Sequence, residues 1–68
     1  MIVQDLYKTL AVSQKVCIRE IYILKMEAMF KTLYDGSIDG VNIELFDKNV
    51  LDIKTSIDKP NTIMITVN

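Results

Sequence analysis

The residues best placed to do chemistry are a set of acids around two glycines, Asp35-Gly36-Ser37-Ile38-Asp39-Gly40. Oxygen donors at alternate positions followed by a glycine are what a calcium loop uses. Asp35, Ser37, Asp39 and Gly40 match the first, third, fifth and sixth positions of the twelve-residue loop held between two helices. The position that must close such a site with a bidentate glutamate is Phe46, and Glu44 and Asp47 fall out of register with it. The hydrophobic eighth position is Asn42. A metal-free turn is the expected reading, since glycine and aspartate are ordinary turn residues. Asp35 and Asp39 would also suit acid–base work, but that requires a pocket that drives two pKa values apart. A chain of 68 residues has little volume for one, so solvated turn acids are expected.

Other nucleophiles lack helpers. Cys17 stands two residues from Arg19, which would activate an exposed thiol, yet the chain has no histidine to act as base and no second cysteine to resolve an oxidised one. A buried structural cysteine is expected. Ser13, Ser37 and Ser56 likewise have no histidine partner, and none stands in a nucleophile-elbow sequence. No glycine-rich phosphate loop occurs. The inventory points away from an enzyme, a small-molecule substrate, a cofactor or a metal.

Size and composition frame what remains. With 68 residues there is room for one domain, residues 1–68, and a chain this short buries only about 60% of its unfolded surface. One cysteine closes no internal disulfide, so stability must come from tight packing or a partner chain. Half of the residues are hydrophobic and the mean hydropathy is +0.23, high for a domain with so little interior. Some apolar surface is expected outside the core, which points to a homodimer or to docking on another protein. The longest apolar run, Ile21–Leu24, is far too short to cross a bilayer. The opening MIVQDLYK does not read as a signal peptide, and the free cysteine suits a reducing cytoplasm.

The elements follow from periodicity. Val3, Leu6, Tyr7 and Leu10 have the spacing of a helix with one apolar face, over residues 2–11. Residues 15–23 are rich in β-branched side chains and read as a strand. Residues 24–34 consist of strong helix formers, yet no capping residue and no glycine or proline marks a helix start. A return strand completing a hairpin is the reading taken, with a helix over the same residues as the open alternative. Asp35–Gly40 reads as a loop in which both glycines can adopt positive φ. Asn42 can cap one or two helical turns over residues 42–49. Residues 50–57 alternate, with Leu51, Ile53, Thr55 and Ile57 on one face and Val50, Asp52, Lys54 and Ser56 on the other. A turn at Asp58-Lys59-Pro60-Asn61 leads into Ile63, Ile65 and Val67, closing a C-terminal β-hairpin. The expected fold is α+β: a short N-terminal helix and an antiparallel sheet of about four strands, with a short helical segment before the C-terminal hairpin.

Two features can carry binding. The apolar set Tyr22, Leu24, Met26, Met29 and Phe30 contains flexible methionines suited to an adaptable interface, although core packing is the ordinary reading of such a stripe. The acids Asp35, Asp39, Glu44 and Asp47 could face a basic partner, or simply water. The charge is near balance at −1, with the basic residues scattered among the acids, which argues against nucleic acid. The alternative is a nucleic-acid-associated regulator that uses Lys15, Arg19, Lys25 and Lys31 as a dimeric basic face.

The order of these signals resembles a loose group of small uncharacterised proteins encoded by phages and prophages of Gram-positive bacteria. The segments that carry the resemblance are IVQDLYKTL, KVCI, LYDGSIDG, ELFDKNVLDI and the closing IMITV. The segment from Glu20 to Phe30 is longer and more apolar than in that group. The resemblance implies an accessory protein of a bacterial cytoplasm and carries over no activity, substrate or site.

Overall fold

The computed structural model describes residues 1–68. One helix, α1 (Val3–Thr9), precedes four strands, β1 (Lys15–Leu24), β2 (Glu27–Ser37), β3 (Val50–Thr55) and β4 (Thr62–Val67). Two short 3-10 turns, Ile38–Gly40 and Ile43–Leu45, lie in the connection between β2 and β3. The α+β class, the first strand, the C-terminal hairpin and the helical segment after Asn42 are as the sequence predicts, and the open choice over residues 24–34 resolves as strand, with β2 forming a hairpin with β1.

The sheet order is β2-β1-β4-β3. β1 pairs antiparallel with β2, and β3 pairs antiparallel with β4. The central pair differs from the expected all-antiparallel sheet: β1 and β4 run parallel, from Lys15↔Thr62 to Glu20↔Val67. Two sequential hairpins lie side by side with their most apolar strands innermost. Burial favours that order, because a central strand is shielded by a neighbour on each side, and in this arrangement the two inner strands point the same way.

Strand alternation then sorts the side chains. Val16 and Ile18 of β1 and Ile65 and Val67 of β4 face a core completed by Val3 and Leu6 of α1 and by Ile38 and Val41. The helix is tied down at its N-terminal end: the Asp5 carboxylate accepts from the Ile2 N–H at 3.0 Å, and Val3 and Gln4 donate to the carbonyls of Lys48 and Phe46. Tyr7 lies against Phe46, ring centroids 4.8 Å apart. In β3 a register shift between Val50 and Asp52 brings Val50 opposite Val67 and Ile53 opposite Ile65. Simple alternation separates Val50 from Ile53; the bulge puts both on the face of Val67 and Ile65, where Val50 packs against the core and Ile53, on this edge strand, stays 41% exposed, and it turns Leu51 outward, 53% exposed. The strand ends at Thr55, and Ile57, expected to continue its apolar face, is 99% exposed.

The acid-glycine segment is not a loop of free glycines. Asp35–Ser37 closes β2, Ile38–Gly40 is a 3-10 turn, and neither glycine has positive φ. Tyr34 supplies the reason. Its hydroxyl donates to the Ser37 carbonyl at 2.6 Å, and a Cβ at Gly36 or Gly40 would sit 2.8 or 2.5 Å from that hydroxyl. Glycine is required here for close approach rather than for backbone freedom. Positive φ falls instead at Lys25, Met26 and Asn61.

Candidate functional site

β1 outruns the rest of the sheet. Past Glu20 its only partner is β2, so Ile21–Leu24 and Ala28–Phe30, joined through Lys25-Met26, form a two-stranded arm. Its pairs are Ile21↔Phe30, Tyr22↔Met29, Ile23↔Ala28 and Leu24↔Glu27. Opposed residues share a face, so Tyr22 and Met29 lie on one side and Ile21, Ile23 and Phe30 on the other. Both sides are largely open to solvent, with Ile21 at the root partly buried: Ile23 is 70% exposed, Leu24 51%, Phe30 48% and Met26, at the tip, 97%. Core packing, the ordinary expectation for this set, is overturned, because the helix and 3-10 turns stop short of the arm. Ile23 was missed as a surface residue, since its alternation with Ile21 looks the same as that of Val16 with Ile18.

Two contacts anchor the root of the arm. Arg19 lies with its guanidinium carbon 4.0 Å from the centre of the Phe30 ring, and its Nε donates to Thr66 Oγ1 at 3.0 Å. On the opposite face, Lys48 Nζ donates to Glu20 Oε2 at 2.7 Å. That hydrogen bond, and then the charge of Lys48, hold the Glu20 carboxyl below the usual carboxylate range, with a smaller contribution from Lys31.

The tip backbone is strained. Lys25 and Met26 have φ of 51° and 66°, the left-handed pair that a two-residue hairpin turn requires and that Asn-Gly fills most readily. Here both positions carry long side chains, at about 1–3 kcal/mol of strain each.

The acidic candidates lie elsewhere. Asp35 stands six positions along β2 from Met29, about 20 Å of strand. Asp35 forms an ion pair with Lys59, and that hydrogen bond and charge raise the Lys59 pKa. Asp39 is exposed in the 3-10 turn. The six candidate residues therefore divide into an arm set, Tyr22, Met26, Met29 and Phe30, and an acidic pair at the far end of β2. No group of three histidine, cysteine or acidic side chains is placed to hold a metal. Cys17 is buried, as expected.

Within one chain, Lys15, Arg19, Lys25 and Lys31 do not share one face. Lys15 starts β1, Lys25 is at the tip, and the register puts Lys31 opposite Glu20 and Arg19 opposite Thr32, on different sides of the sheet. The one surface hollow, bordered by Ala11, Ser13, Gln14, Lys15, Pro60 and Asn61, is open and polar. Gln14 Nε2 bridges the carbonyls of Lys15 and Asn61 there. No helix is long and apolar enough to cross a membrane.

Fold and surface together define a small α+β domain with a projecting, uncovered β-hairpin arm. No protein-family model, curated protein or solved structure matches this chain.

Proposed function

We propose that this protein is a non-enzymatic protein-interaction module, an accessory protein of the phage or prophage type it resembles, working in a bacterial cytoplasm, and that its arm is the part that docks. The observation that carries this reading is an arm apolar on both faces with no body of its own chain against it. A two-stranded hairpin is at best marginally stable in water, and contiguous exposed apolar surface is typical of contact sites. A partner strand or groove against Tyr22, Ile23, Met29 and Phe30 would supply the burial the chain does not.

The test is site-specific photo-crosslinking in a bacterial host, with the reactive group at Ile23 on the arm or at Lys54 on the far edge strand. Recurrent adducts of defined mass from Ile23 and none from Lys54 are expected, whether the captured chain is another copy or a different protein. Equal labelling from both positions, or none from Ile23, would sink the reading.

A further inference from the structure

We infer that the occupant of the arm is a second copy of this chain, joined edge to edge through β2 in an antiparallel ladder centred on Met29; this rests on the arm being the docking element. β2 is an edge strand, so its outer row of N–H and C=O groups has no partner strand, the arrangement that β-strand addition uses. Its pairing with β1 is regular from Leu24↔Glu27 to Arg19↔Thr32 and breaks at Leu33, which the register skips. A bulge spoils an edge for pairing. The straight, usable part is therefore Glu27–Thr32, and all six of those residues are exposed.

Within that stretch the sequence is complementary to itself. Laid antiparallel about Met29, Glu27 meets Lys31 of the second copy, Ala28 meets Phe30, and Met29 meets Met29. Each contact is repeated by the two-fold axis, as a two-fold interface requires. Opposed residues share a face, and a two-fold axis normal to the sheet keeps every residue on its own face, so only ladders centred on a residue are available. The neighbouring choices are worse. Centring on Ala28 sets Lys31 against Lys25, and centring on Phe30 leaves Lys31 facing Met29 and Glu27 facing Leu33. Centring on Lys31 opposes two lysines and brings Glu27 against Asp35. Opposite charges across a ladder favour it and like charges oppose it, and only the Met29-centred ladder pairs each glutamate with a lysine. It also sets the large Phe30 beside the small Ala28, so the apolar faces of the two arms run together.

The decisive experiment is a charge exchange read by analytical ultracentrifugation over a concentration series, with circular dichroism as a check on folding. The wild type is expected to dimerise. Glu27→Lys and Lys31→Glu alone each place like charges at both ends of the ladder, and each should weaken the dimer by about tenfold or more. An equimolar mixture of the two should form a heterodimer of wild-type affinity, because every end pair is then opposite again, and so should the homodimer of the double variant Glu27→Lys/Lys31→Glu. A monomeric wild type, single variants as tight as wild type, or a mixture and double variant that fail to recover would each overturn the inference. If Met29→Lys abolishes association while the charge changes do nothing, the arm remains the docking element and this ladder is wrong. If the wild type is monomeric but Ile23 still crosslinks to another protein, the arm reading likewise survives without the second copy.

Discussion

The two halves of β1 are built alike and live differently. Val16 and Ile18 are fully buried between α1 and β4, whereas Tyr22 and Leu24, further along the same face of the strand, are 41% and 51% exposed, and Ile23 on the reverse face is 70% exposed. The difference is supplied by neighbours: β4 pairs with β1 only as far as Glu20, and the helix sits over the near half alone. A single strand can thus be half core and half candidate interface, with the change of role at the Glu20–Lys48 ion pair and the Arg19–Phe30 contact.

The largest effects should break the comparison outright. Ile18→Ala and Ile65→Ala each empty part of a fully buried site, and about 2–5 kcal/mol of stability should be lost. In a domain this small that is enough to leave much of the chain unfolded in a urea titration followed by circular dichroism. Ile23→Ala under the same conditions, at concentrations where the chain is monomeric, should change the midpoint little. A loss comparable with that of Ile18→Ala would show that the arm is packed after all.

A second test sharpens the account of the body. Gly40→Ala should destabilise by about 1–3 kcal/mol through the clash with the Tyr34 hydroxyl, and Tyr34→Phe by about 1 kcal/mol through loss of the hydrogen bond to Ser37. Combined, they should cost less than their sum, because removing the hydroxyl opens the space the methyl needs. Strict additivity in thermal melts would mean that Tyr34 is not what excludes a side chain at Gly40.

At the tip of the arm the sign reverses. Replacing Lys25 with Asn and Met26 with Gly relieves two left-handed residues and should raise stability by about 1 kcal/mol. Slower amide exchange across the Tyr22↔Met29 pair would accompany the gain, and unchanged exchange would place the strain elsewhere.

The smallest effects are pH-dependent. Glu20 has a folded pKa below its unfolded one, so its contribution is present above the usual carboxylate range and lost as pH falls through the depressed value. The stabilities of wild type and Glu20→Gln should therefore converge in acid. Lys59 has a raised folded pKa, so its contribution is present below the usual lysine value and lost as pH rises through the raised one. Wild type and Lys59→Met should converge in strong alkali. Both pairs are solvent-accessible, and high salt should shrink either difference.

What the sequence determined by itself lies where local rules suffice. The spacing of Val3, Leu6 and Leu10 specifies α1, the β-branched run from Lys15 specifies β1, Asn42 caps the turn at Ile43, and the alternation of Ile63, Ile65 and Val67 specifies β4. The absence of histidine and the single cysteine bounded the chemistry before any fold was known. Tertiary structure alone decided that β1 lies parallel to β4, that Gly36 and Gly40 make room for the Tyr34 ring, that Leu51 bulges so that Val50 and Ile53 share one face, and that Tyr22, Ile23, Met29 and Phe30 stay outside. Periodicity reports which residues share a face, because that follows from the backbone repeat of the residues themselves. Whether the face is covered depends on elements that arrive from distant parts of the chain, and for this arm the covering element is the one we assign to a second copy.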